Sequence, residues 1–194
     1  MANANKPFGL RPVKNLLGSP NNFQLTKFYV PGTDNTAIYI GDTVKLAGTE
    51  GSLYAGDAPV PTVTKAATSD AVVGVVVGVQ PLPTDLSLNY RKAATGMYVF
   101  VVTDPNTVYM IQGNADVYDP ADVGYNMTLT VSTGSAATGV SNAVADQSTA
   151  ALTSTLALSV LGTVPSIDND LTGGYPLLLV RLNNHQYINA ATGL

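Results

Sequence analysis

From residue 24 onward, apolar and polar positions repeat with a short period, and turn residues break the pattern every few positions. That rhythm predicts strands. Gln24–Val30 sets Leu25, Lys27 and Tyr29 against Thr26, Phe28 and Val30, and Pro31-Gly32 ends it. Ala37–Leu46 reads as two short strands around Gly41-Asp42, and Val60–Thr64 as a short edge-like strand. Ala71–Val79 is apolar on both faces and rich in valine, which predicts burial on both sides. Gly74 and Gly78 within it predict either close backbone approach or bulges. Met97–Thr103 and Val108–Gln112 flank Asp104-Pro105-Asn106-Thr107, the residues of a type I turn, and predict a hairpin. Asp119 before Pro120, with Gly124 following, predicts one capped helical turn. Thr128–Val131, Leu156–Val164 and Leu177–Leu182 read as further strands, and Asp168–Pro176 as a loop. Ser132–Ser154 is a tract of small residues that fits either a loop or strands with small side chains, and Ala143–Ala151 within it has fair helix propensity. No long amphipathic helix is present in the pattern, so the expected fold is all-β, a barrel or sandwich.

Residues 1–22 do not share this rhythm. Pro7, Pro12 and Pro20 argue against a long helix and a central strand, yet Phe8, Leu10, Val13, Leu16 and Leu17 supply apolar anchors. The segment carries Lys6, Arg11 and Lys14 and no acid. This mixture predicts an extended arm, 1–22, attached to a β domain, 23–194. Fully extended, it would reach roughly 70 Å. The arm is expected to contact a neighbouring subunit or partner and not its own domain: Phe8, Leu10, Val13, Leu16 and Leu17 entering grooves, and Lys6, Arg11 and Lys14 meeting carboxylates.

Composition narrows the function classes. Only 11% of the 194 residues are charged, against about 25% in an average soluble domain. Thr, Ser, Asn, Ala and Gly must therefore cover the surface, and with a net charge of −4 such a surface is suited to assembly. Ten tyrosines and no tryptophan point the same way, since Tyr combines contact area with a polar tip. A pI near 4.6 argues against nucleic acid as a partner. The longest apolar run, Ala71–Val79, is far short of the about 20 residues of a spanning helix, so no membrane partner is expected. Nor is a secretory leader, because residues 1–20 hold no apolar core segment.

No catalytic constellation emerges. The absence of Cys excludes thiolate zinc sites and Cys–His dyads, and one histidine, His185, cannot build a His-rich metal site. No Gly-x-Ser-x-Gly elbow and no phosphate-binding glycine loop occurs. His185 reads as a hydrogen-bonded structural residue. Asp116, Asp119 and Asp122 lack the twelve-residue calcium-loop pattern and read as caps and turns, and Asp168-Asn169-Asp170 reads as a short acidic turn. No catalytic residue, metal or cofactor is expected, and the chain reads as non-enzymatic.

Six short words, in order, resemble the phage capsid decoration, or structural cement, proteins. Pro7-Phe8-Gly9-Leu10-Arg11-Pro12-Val13 resembles that family's PFGFRPV opening. Gly41-Asp42-Thr43-Val44-Lys45-Leu46 resembles its GD-V-L segment, and Val73–Val79 its VGVF-GV strand. Asp104-Pro105-Asn106-Thr107 resembles its DDPNT turn, with Thr103 in place of a second acid. Ala121-Asp122-Val123-Gly124 resembles ADIG, and Asn184-His185-Gln186 the closing N-HQ; Ser132–Thr155 has no matching word. The resemblance implies a non-catalytic clip, made in the host cytoplasm and seated on the outer surface of the virion head. It implies a homotrimer bound to the major capsid protein, bracing the shell against packaged DNA. A tail or head-fibre component is the alternative, although fibres normally show a fixed repeat period and none is found here.

Overall fold

The computed structural model describes residues 3–18 and 24–188. Eleven strands follow in chain order: β1 Arg11–Asn15, β2 Leu25–Val30, β3 Thr43–Gly51, β4 Val60–Lys65, β5 Gly74–Val79, β6 Met97–Val102, β7 Thr107–Gln112, β8 Asn126–Thr130, β9 Val144–Ala151, β10 Leu158–Thr163 and β11 Leu177–Leu182. Strands β2-β4-β3-β5-β6 close a barrel, and β1-β7-β11-β10-β8-β9 form a six-stranded sheet. The all-β expectation holds. The barrel closes through one parallel contact, Tyr29 opposite Thr62, while β2 and β6 pair antiparallel along their length. The sheet curls until Ala145 of β9 bridges Gly113, just past the end of β7.

Two cores result, and β5 and β6 are the wall between them. Val73, Val76, Val99 and Val101 fill the barrel with Phe28, Val30 and Ile38. Val72, Val75 and Val102 face the sheet, against Tyr109, Ile111, Leu178 and Val180. This is the two-sided burial expected of Ala71–Val79. Its two glycines play different parts. A Cβ on Gly74 would lie 2.1 Å from the carbonyl oxygen of Val102, so the backbone approach there requires glycine. Gly78 follows a register shift between Val76 and Gly78, the mark of a bulge.

The structure changes four expectations. First, β6 and β7 are not a hairpin. The Asp104–Thr107 turn is formed, with Thr107 N donating to Asp104 O at 3.1 Å and Asn106 N to Asp104 Oδ1 at 2.9 Å. Both edges of β6 are nevertheless occupied by β2 and β5 in closing the barrel, so the turn passes the chain into the sheet. Second, residues 37–46 are not two strands. Ile38 and Ile40 make isolated bridges, to Arg91 and Val140, and β3 begins at Thr43 and runs beyond Leu46 to Gly51. Third, the two readings of Ser132–Ser154 are decided in its second half: Val144–Ala151 is a strand with small side chains, as one of them allowed, and the helix propensity of Ala143–Ala151 is not expressed. Ala143 and Ala145 enter the core, where burial against Leu129 overrides local propensity. Fourth, the expected division at residue 22 does not hold for the described part of residues 1–22. Arg11–Asn15 is the edge strand of the sheet, paired with β7, and Leu10 is a core residue. Pro12 is tolerated there because an edge strand has one unpaired side. Residues 1–2 and 19–22 lie outside the described residues.

The capped turn is as expected but tighter than an α-turn. Asp119 Oδ1 accepts from Ala121 N at 2.8 Å, Pro120–Asp122 is one 3₁₀ turn, and Gly124 follows with φ +89°. Among the described residues no helix is long and apolar enough to cross a membrane.

Candidate interaction surface

The N-terminal segment is fastened to its own domain by specific bonds. The Gln112 side chain donates to Ala4 O at 2.8 Å and accepts from Lys6 N at 3.1 Å. Asn3 brackets Asp170, its Oδ1 accepting from Asp170 N at 3.0 Å. Leu10 N donates to Gly41 O at 3.0 Å. The two chains touch backbone to backbone at this point: a Cβ on Gly9 (φ +68°) would lie 2.5 Å from Gly41 O, and one on Gly41 (φ +94°) 2.6 Å from Phe8 O. Only glycine suits both the approach and the left-handed conformation.

Beside this contact Asp42 is fully buried and fully engaged. Its Oδ2 accepts from Tyr39 N and pairs with Lys65 Nζ, both at 2.9 Å, and its Oδ1 accepts from Ser141 Oγ at 2.5 Å. Lys65 also donates to Ser132 O at 3.0 Å, joining the barrel to the loop before β9. A second joint is made by Asn184-His185-Gln186. Val72 N donates to Asn184 O at 3.0 Å, Gln186 N to Val72 O at 2.8 Å, and Gln186 Oε1 accepts from Leu46 N at 2.9 Å. Buried His185 accepts from Tyr187 N through Nδ1 at 3.2 Å, while Nε2 makes no hydrogen bond. Burial holds its pKa below the ordinary histidine value, opposed by the Thr103 carbonyl, Asp104 and the Val73 carbonyl. Arg91 is a third joint. Its guanidinium donates to the carbonyls of Thr95, Thr36, Pro31 and Asp34 at 2.7–2.8 Å, stapling the loops at one barrel end.

The expected arm residues thus divide. Leu10 is in the core, which corrects its assignment to a neighbour's groove. Phe8 is half-buried beneath the Arg11 guanidinium, 4.8 Å from its ring centre. Lys6, Arg11, Val13, Lys14, Leu16 and Leu17 remain exposed, Leu17 at 73%. Register explains where they point. Arg11 sits opposite Met110 and Lys14 opposite Val108. Tyr109 and Ile111 enter the core, so Met110 and its partner Arg11 lie on the opposite face, where Val108 is itself fully buried beside exposed Lys14. Arg181, between core residues Val180 and Leu182, faces outward on β11 and joins the same face. Sequence reading missed Arg181, although the alternation of Leu178, Val180 and Leu182 carried the signal. Leu16 N donates to Asn106 O at 2.9 Å, and Asn106, Arg181 and exposed Ile188 line one small cavity. A basic, apolar patch therefore surrounds the start of β7.

The opposite character appears past the end of β7. Asp116 and Asp119 are exposed, with Val117 at 60% and Val123 at 52%, while Tyr118 anchors the loop in the core. Leu152, 78% exposed, follows Ala151, which pairs with Asn126 at the start of β8. Asp122 has its pKa raised, by burial first and by Asp119 second. Among the described residues no three His, Cys, Asp or Glu side chains are grouped as metal ligands. An open cleft of about 580 Å³ runs between Asn35–Ala37, Lys65–Thr68 and Val131–Thr133. Its one charged lining residue, Lys65, is committed to Asp42.

No protein-family model, curated protein or solved structure matches the chain.

Proposed function

We propose that this protein is a non-enzymatic capsid decoration protein that binds the major capsid protein on the outer surface of a tailed-phage head and stabilises the shell. The observation that carries the reading is the exposed edge of the sheet, where Arg11 and Lys14 stand beside Val13, Leu16 and Leu17 on an otherwise acidic, charge-poor chain. A further support is where the resembling words fall. Phe8-Gly9 rests on Gly41-Asp42, Asn184-His185-Gln186 bonds both Val72, just before β5, and Leu46 of β3, and Asp104–Thr107 passes the chain from barrel to sheet.

The mechanism needs only differential binding. A ligand that binds the assembled shell and not its separated subunits stabilises the shell by mass action. Each large apolar side chain fully buried in the contact contributes about 1.5–3 kcal/mol, and each exposed ion pair less than about 1 kcal/mol. Raised salt should therefore weaken decoration only modestly. The test is co-sedimentation of purified protein with undecorated expanded heads. Saturable binding, lost in Leu16→Ser/Leu17→Ser and raising the temperature at which heads release DNA, supports the reading. Absence of binding, or binding with no effect on head stability, overturns it.

A further inference from the structure

We infer that the small cavity between the Asp104–Thr107 turn and the end of β11 is a carboxylate receptor, in which Arg181 and His185 hold the side chain of an aspartate or glutamate of the capsid protein. The inference rests on the decoration reading for the source of the carboxylate, and its first test uses no shells, so the two can fail separately.

Three observations carry it. The first is a pair of donors without acceptors. Arg181 is half-buried on the cavity wall, and among the described residues its guanidinium enters no ion pair. His185, 1% exposed, is on the same wall. Its Nδ1 accepts from Tyr187 N, so the neutral ring carries its proton on Nε2. The carbonyls of Thr103 and Val73 are near the ring, but neither completes a hydrogen bond with Nε2. A buried donor left unmet is costly and marks a place where an acceptor is brought. The second is size. The cavity holds about 60 Å³, far below the roughly 300 Å³ at which sites for whole small molecules begin, so it suits a single functional group. The third is charge. Burial keeps His185 uncharged at neutral pH, so Arg181 is the one full cation of the lining. One planar guanidinium fork matches one carboxylate. A phosphate dianion would leave excess negative charge near Asp104, whose oxygens are already engaged, Oδ1 by Asn106 N at 2.9 Å and Oδ2 by the Asn15 side chain. Position decides the source. Asn106 is on the cavity wall and its carbonyl accepts from Leu16 N at 2.9 Å, so the cavity adjoins the exposed edge at Leu16 and Leu17 where the capsid protein is received.

His185 is the chain's only histidine, so its imidazole resonances report on this cavity alone. Acetate titrated into the full chain at pH 7 and constant ionic strength should shift them saturably, with a Kd on the order of 1–10 mM, as a few charge-assisted bonds allow. Inorganic phosphate should bind more weakly. Arg181→Gln should weaken acetate binding at least tenfold while keeping the wild-type near-ultraviolet circular dichroism spectrum, and should weaken co-sedimentation with heads by a similar factor. Absence of a saturable shift, an equal affinity in Arg181→Gln, or phosphate binding as tightly as acetate would each overturn the carboxylate site, whatever the heads do. If acetate binds as expected but Arg181→Gln decorates heads as the wild type does, the assignment of the carboxylate to the capsid protein is overturned. A wild type that binds acetate and no heads would strike the decoration reading, and with it that source, while supporting the cavity as a carboxylate site.

Discussion

Replacing Leu10 by Ala separates a built-in strap from a free arm. Leu10 is 2% exposed, so the substitution removes three buried carbons. At about 0.8 kcal/mol each this is roughly 2.4 kcal/mol of transfer free energy. A cavity term adds to it, because the wall beside Leu10 is the Gly9–Gly41 backbone contact, held by the Leu10 N to Gly41 O bond and unable to collapse far. The total should be about 3–4 kcal/mol. For a chain of this length, 1 kcal/mol corresponds to about 2–4 °C, so Tm should fall by roughly 6–16 °C. Leu17→Ala, at a position 73% exposed, should shift stability by less than about 0.5 kcal/mol. The assay is urea and thermal unfolding of the isolated protein, monitored by near-ultraviolet circular dichroism. Equal stability of the two variants would refute the reasoning, since it would mean that Leu10 gains its burial only from a partner.

Other outcomes follow from the joints. Gly41→Ala places a Cβ 2.6 Å from Phe8 O at φ +94°; the left-handed conformation alone costs about 1–2 kcal/mol, so trypsin should cut after Lys14 faster than in the wild type. Lys65→Met strands the buried Asp42 carboxylate and should destabilise by about 3–5 kcal/mol in urea, with part recovered by adding Asp42→Asn. Because burial holds the folded pKa of His185 below its unfolded value near 6.5, its contribution should be complete above pH 6.5 and fall as the pH drops toward the folded pKa; His185→Gln should flatten that part of the urea-midpoint profile between pH 7.5 and 5.

What the sequence disclosed depended on how local the determinant was. The alternation of Leu177–Leu182, the two-sided valines of Ala71–Val79 and the Asp119-Pro120 cap were legible because each is decided within a few residues. The Asp104–Thr107 turn was legible as a turn, but not its role. A hairpin and a passage between sheets share the same local geometry, and the closing of the barrel by β2 decided between them. Strand β1 was hidden for the same reason. Three prolines are compatible with a free arm or an edge strand, and only the unpaired edge of β7 settles it. The basic face was half legible. Arg11 and Lys14 were named from charge and spacing, whereas Arg181 joins them through a strand pairing more than 70 residues distant in sequence.

Electron cryo-microscopy of virions carrying this polypeptide decides whether it sits on the head. Density for the barrel and six-stranded sheet is expected on the outer surface of the shell, repeated with the symmetry of the capsomers and resting on the major capsid protein. Density confined to the tail or to fibres, or a shell bare of this domain, would contradict it.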